Sequence, residues 1–232
     1  MPPLSPRSGS NNYPLRGGKY SDFEGGIRVA AFAGGGYLPP AARGTATGGI
    51  VHIADWLATF AALAGVDPTD AKAAAAGLPA IDSLNVWPLI SHVNASSPRE
   101  EIPVGPTVLI QGAYKLMLGA QIEATWAGPS YPNASSPAAP VDPGPTLACG
   151  AKGGCLFNVV ADPTEHEDIA AQHPALVASM KARLAVLKEG FWFNHDNFSD
   201  SLICPPDANI TPCACWAALN VYGGYFGPWS SA

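Results

Sequence analysis

The sequence predicts a mixed α/β chain with a C-terminal subdomain of antiparallel sheet plus helix. Three observations predict it. Two segments carry apolar residues at helical spacing, "IVHIADWLATFAALAGVDP" and "HPALVASMKARLAVLKEG". Between them the period falls to two in "TVLIQGAYKLMLGAQ", around Gln111 and Gly112, as a β-hairpin requires. The hairpin and the second helix each have one apolar side, and burying both together is the simplest arrangement.

The elements follow in order. "GIRVAAF", Gly26 to Phe32, reads as a buried strand entered from a Gly-Gly turn, and "GGGYLPPAARGTATGG" as the loop after it. In the first helix Ile53, Trp56, Leu57, Phe60 and Leu63 share a face, Gly65 supplies a C-cap, and Pro68 lies beyond. His52 and Asp55 sit in its first turn, where an acid suits the positive helix end, so a capping role outweighs a catalytic one. "AIDSLNVWPLI" is a loop with a short helical turn. Trp126 to Cys149, rich in Pro, Ala and Ser, reads as a long surface loop. Leu156 to Val160 is a strand running into an acidic turn. Pro174 opens the second helix, Leu176, Met180, Leu184 and Leu187 line its apolar face, and Gly190 ends it. Ile102 to Leu187 is thus expected to hold about four strands with this helix across one face.

Composition bounds the function. At 47% hydrophobic and 13% charged residues, the 232-residue chain can build a core. Its 12 Lys+Arg against 18 Asp+Glu give a net charge of −6, with no basic stripe, which argues against nucleic acid. No apolar run is long enough for a membrane span. Four N-x-[ST] sequons, at Asn94, Asn133, Asn197 and Asn209, fit a glycosylated chain of a lumenal or secreted compartment. The five cysteines agree. Cys149 and Cys155 bracket the Gly-rich "CGAKGGC" and are expected to close a disulfide, while Cys204, Cys213 and Cys215 crowd the C-terminal end. A zinc site is disfavoured because the spacing is wrong for a ribbon and no His lies nearby. "MPPLSPRSGS" has no apolar core of a signal peptide. A secreted-looking chain with no export signal and an odd cysteine suggests that its beginning is missing.

One stretch stands out: "NNYPLRGGKYSDFEGGIRVAAF", which sets Arg16 and Lys19 in a glycine-rich turn. It resembles the segment after the last metal ligands in type I sulfatases of the arylsulfatase B-like group. "HIADWLATFAALAG" is similar to that family's H-I-[ST]-D-W-[LY]-P-T helix, with Ala58 where proline is usual. "LNVWPLI", "SPREEI", "GAYKLMLG" and "LFNVVADPTEHEDIA" resemble later family motifs in the same order, and "YGGYFGPW" resembles the family's ending.

The resemblance implies a partial alkaline-phosphatase-like sulfatase fold. Residues 1–95 would be the end of the catalytic α/β domain, and 96–232 the C-terminal subdomain with its cysteine-bearing tail. It also implies a sulfuric ester hydrolase acting on sulfate esters, including those of sulfated sugars. By family analogy Lys19 is the substrate-sulfate-binding lysine, whose compact ammonium would stabilise negative charge on sulfate oxygens. Read without the family, Arg16 and Lys19 are solvated turn charges.

Other family parts have no match. The nucleophile comes from the Cys of C-x-P-x-R, oxidised to formylglycine; Cys204-Pro-Pro-Asp-Ala208 has Ala208 where Arg is required. The calcium expected for the family has no ligands assigned in this chain, and Asp196-Asn197 lacks the glycine of the family's D-N-G. A missing N-terminal half is therefore expected to complete the domain, and the chain alone is expected to be inactive and to expose apolar surface. The alternative is a non-catalytic glycan-binding or interaction module derived from a sulfatase.

Overall fold

The computed structural model describes residues 12–94, 96–126, 146–191 and 213–225. The chain divides into two compact units, 1–189 and 190–232. In the first, α1 (Glu24–Ile27), α2 (Asp55–Leu63), α3 (Ala71–Ala75) and α4 (Trp87–Ile90) precede β1 (Glu101–Gly105), β2 (Val108–Gln111), β3 (Tyr114–Met117), β4 (Ala120–Gln121), β5 (Leu147–Ala148), β6 (Cys155–Asn158) and α5 (Pro174–Glu189). The described part of the second unit is residues 190–191 and α6 (Cys213–Asn220) with the turns that follow it. No helix among the described residues is long and apolar enough to cross a membrane.

The expected antiparallel sheet with a helix across one face is present. Four strands form an antiparallel sheet in the order β1-β2-β3-β6. Gln111 pairs with Tyr114, so the β2–β3 hairpin closes through Gly112-Ala113, and Gly112 takes the left-handed φ of 56° that glycine adopts without steric cost. Pro103, which has no N–H for a ladder, sits in the edge strand β1, where the register shifts. On one face Leu109, Leu116 and Leu156 pack against Val177, Met180 and Leu184 of α5, with Leu176 and Leu187 at the margin. The opposite face is also buried: Val108, Met117, Cys155 and Phe157 pack with Phe23, Ala124 and Cys149. The Cys149–Cys155 disulfide forms, with α-carbons 5.1 Å apart. It staples the turn before β6 to the core.

Three expectations are corrected. Gly26 to Phe32 is no strand: it leaves the α1 turn without regular structure, and Val29 and Phe32 are 80% and 98% exposed. A buried strand needs neighbours for its N–H and C=O groups, and among the described residues none pairs with it. Helix α2 buries Asp55, Ala58 and Thr59, not its apolar stripe, and leaves Ile53, Leu57 and Phe60 exposed. Hydrogen bonds decide that orientation: Ser83 Oγ accepts the Ala58 N–H at 2.8 Å, and Thr59 Oγ1 accepts the Val86 N–H at 3.0 Å. The helix closes as expected, with Gly65 at φ 68° and N–H groups of Gly65 and Val66 donating to Ala62 and Ala61. Last, the segment read as surface loop up to Cys149 ends in β5, which pairs with β4. Its residues 127–145, the sequons at Asn133, Asn197 and Asn209, and Cys204 lie outside the described residues. Asn94 is exposed on the turn after α4, and Cys215 is a free, half-buried thiol.

Candidate functional site

The glycine-rich turn lies on the face of the sheet opposite α5. Its first anchor is Arg16, which is buried, not solvated. Its Nε donates to the Ala124 carbonyl at 3.0 Å and an Nη1 proton goes to the Glu165 carbonyl at 2.9 Å. The guanidinium lies 4.3 Å over the Phe23 ring and 4.2 Å over Trp126. Arginine suits this slot because its flat, weakly hydrated cation stacks on aromatic faces while its edge donates. Trp126 stacks in turn on His166, ring centroids 4.2 Å apart.

The second anchor is an ion cluster. Lys115 of β3 is fully buried. Its ammonium contacts Glu24 Oε1 at 2.9 Å, Glu165 Oε1 at 2.7 Å and the Asp22 carbonyl at 2.9 Å. Glu165 Oε2 also accepts the Glu24 N–H at 2.6 Å. Burial pushes the Glu165 carboxyl above its ordinary range, an effect that the Lys115 ammonium and the Glu24 amide oppose.

Between the anchors the turn closes on itself. The Gly25 N–H donates to the Arg16 carbonyl at 2.7 Å and the Gly17 N–H to Thr125 at 2.9 Å. Ser21 Oγ accepts from the Gly18 N–H at 3.0 Å and donates to the Gly18 carbonyl at 2.9 Å. Glycine is required at position 25, where a Cβ would lie 2.5 Å from the Arg16 carbonyl oxygen. Lys19 and Tyr20 form the exposed tip, and Tyr20 takes a φ of 74°, a conformation a bulky side chain adopts only when its surroundings impose it. The Lys19 ammonium lies 5.2 Å from the Tyr20 ring centroid. Lys19 lines neither the cleft of about 410 Å³ beside Gly34–Gly36 and Arg43 nor that of about 440 Å³ beside Arg99 and Arg183.

A separate ion pair explains Asp55. Its carboxylate is fully buried and meets Arg99 through two hydrogen bonds, the Nε one at 2.8 Å, and it accepts the N–H groups of His52 and Leu84. It organises the start of α2 and serves structure, as its helix-end position suggested. Burial would raise its pKa, but the Arg99 and amide hydrogen bonds outweigh this and hold the carboxyl below its ordinary range. A depressed folded-state pKa adds stability above the unfolded value of about 3.9 and loses it as pH falls through the folded value. Melting temperature is therefore expected to fall steeply below about pH 4. Asp55→Asn should melt lower at neutral pH and show a shallower acid limb, measurable by calorimetry across pH.

These contacts give the sequence motifs a physical meaning. Glu24, Lys115 and Glu165 come from three separate motifs and meet in one cluster; Asp55 and Arg99 come from two others and meet in a second. Sequence reasoning missed Lys115, Glu24 and Glu165. The available signal was a lysine in a hairpin strand, at an alternation shared with Met117 and so directed inward.

No family model matches the chain. Mouse arylsulfatase J is 28% identical over 245 residues, an alignment that takes in 97% of this chain and 37% of the relative. The chain resembles the sulfatases along nearly its whole length. The resemblance read from the ordered motifs and the one found by comparison agree. Among solved structures, a protein from a glycosaminoglycan-metabolising core genetic locus of Bacteroides thetaiotaomicron aligns at TM-score 0.46 and 20% identity, covering 75% of this chain and 32% of that one. The PsFucS1 sulfatase from Pseudoalteromonas sp. aligns at TM-score 0.43 and 21% identity, covering 76% and 33%. The sulfatase-like chain thus spans little more than a third of the length of the curated relative it matches.

Proposed function

We propose that this chain contributes a sulfate-binding lysine, Lys19, to the hydrolysis of sulfate esters. The observation that carries the reading is the tip itself: an exposed ammonium held on a turn fixed at both ends, at the position where the resemblance expects the sulfate ligand. Hydrolysis transfers the sulfuryl group from an alcohol or sugar oxygen to water, releasing the alcohol and sulfate. Charge on the oxygens around sulfur rises as the ester bond breaks. A preorganised cation stabilises that charge without reorganising during the reaction, which is the largest service a charged side chain offers catalysis. Lysine brings three donors on a flexible stem and adapts to tetrahedral oxygens.

The calcium implied by the resemblance finds no ligand set here: among the described residues no three His, Cys, Asp or Glu side chains converge to hold a metal ion. On this reading residues 1–95 belong to the catalytic α/β domain and 96–232 to its C-terminal subdomain, and the substrate is an aryl or sugar sulfate. A glycosylated, secreted or lumenal polypeptide fits the exposed sequon at Asn94. Leu57 and Phe60 of α2, with Ile53 just before it, are exposed, an apolar surface that supports reading the chain as part of a larger domain.

The 232 residues alone, purified free of host sulfatases and supplied with calcium, are expected to release no sulfate from 4-nitrophenyl sulfate. Residual Cys204-independent turnover would mean that another nucleophile lies within the chain. The direct test is to isolate the native polypeptide carrying this sequence with an antibody to 174–189 and to assay it on the same ester. Sulfate release supports the reading. A native polypeptide that binds sulfated glycan yet releases no sulfate would instead be a non-catalytic module.

A further inference from the structure

We propose that Lys115 is a positioning residue for Lys19, acting through the buried Glu24–Glu165 pair to hold the sulfate-binding tip at a fixed place over the sheet. The proposal rests on the reading of Lys19 as a sulfate ligand.

The Lys115 ammonium meets three oxygens: it donates hydrogen bonds to Glu24 Oε1 and the Asp22 carbonyl, and it forms an ion pair with Glu165 Oε1, 2.7 Å away. Two of these acceptors, Asp22 and Glu24, belong to the segment that carries Lys19. The third belongs to the acidic turn after β6, and it reaches both ends of that segment. Its Oε2 accepts the Glu24 N–H, and its carbonyl accepts an Arg16 proton. Arg16 and Gly25 are joined by the 2.7 Å hydrogen bond that closes the turn. Lys19 therefore sits midway along a closed loop whose base is tied to β3 by one ammonium.

Stability is a poor explanation for the cluster. Two cations, Arg16 and Lys115, and two anions, Glu24 and Glu165, are withdrawn from water here. Apolar side chains of similar volume often hold such a site as well or better. What charges provide and apolar packing does not is a single register, because donors and cations match these acceptors in only one arrangement. A sulfate ligand needs that register, since a displacement of about 1 Å can cost on the order of 100-fold in rate.

The test uses the full ¹⁵N-labelled chain. Sodium sulfate is titrated against sodium chloride at matched ionic strength, and the Lys19 and Tyr20 amides report both affinity and order. Lys115→Met is expected to weaken Lys19-dependent sulfate binding at least fivefold and to drop the order parameters of both amides below about 0.6. Leu184→Ala, on the other face of the sheet, is the control. It should lower the melting temperature while leaving affinity within twofold and the tip ordered, because a merely structural loss does not reach the turn. Glu165→Gln, which keeps size and loses charge, is expected to repeat the Lys115→Met result and replaces it should that variant not fold. Unchanged affinity and tip order in both cluster variants overturn the proposal, as does an equal loss in Leu184→Ala. If Lys19→Ala binds sulfate as tightly as the unaltered chain, the ligand reading fails, and the order parameters alone then decide the positioning claim.

Discussion

Lys19→Ala in the native polypeptide is expected to lower the turnover of a sulfate ester by about 10²–10³-fold, the loss of roughly 3–4 kcal/mol of transition-state stabilisation. The melting temperature should not move, because Lys19 is exposed and its ammonium lies over the Tyr20 ring. Separation of activity from stability is what marks a ligand residue. Lys19→Arg should restore only part of the rate. A planar guanidinium presents its donors in a rigid fork and places its charge farther out than an ammonium. The measurement is kcat and kcat/KM on 4-nitrophenyl sulfate beside a thermal melt. Near-normal turnover in Lys19→Ala would refute the assignment.

The opposite pattern is expected at Lys115. Lys115→Met leaves Glu165, which has no exposure to water, without its cation, and leaves Glu24 with only the half-exposed Arg28, 3.7 Å away. Removing one partner of a buried ion cluster costs about 3–5 kcal/mol, since the remaining charges keep their desolvation penalty. For a chain of this size that lowers the melting temperature by on the order of 10 °C. Protonation of a stranded carboxylate offers partial relief, so the deficit should shrink as pH falls toward the carboxylate range. Adding Glu165→Leu should recover part of the loss, and a double-mutant cycle gives the coupling between the two. An unchanged melt in Lys115→Met would contradict the contacts assigned to it.

The sheet, its hairpin and the helix across it were legible because each depends on local patterning. Alternation places Leu109, Leu116 and Leu156 on one face, and helical spacing brings Met180 and Leu184 to meet them. The disulfide was legible because the five Gly-rich residues between them leave its cysteines few other places to go. What failed was everything set by distant contacts. Helix α2 has a clear apolar stripe, yet bonds from Ser83 and Val86 and the Arg99–Asp55 pair turn its other face inward. "GIRVAAF" has strand composition, but no described strand meets it. Arg16 and Lys19 look alike as turn cations, and only folding separates them. One is stacked between Phe23 and Trp126, and the other is presented to solvent. The position of Lys19 was legible from resemblance alone, whereas the cluster that holds its turn spans residues 24 to 165.

The most direct test is the place where a sulfate ester binds. Crystals of the native polypeptide soaked with a slowly hydrolysed aryl sulfate should show Lys19 Nζ within about 3.2 Å of a sulfate oxygen, a charge-assisted hydrogen bond. The Arg16–Gly25 turn should be unmoved, because it is already pinned. A sulfate group bound elsewhere, with the Lys19 ammonium left in solvent, would contradict the account.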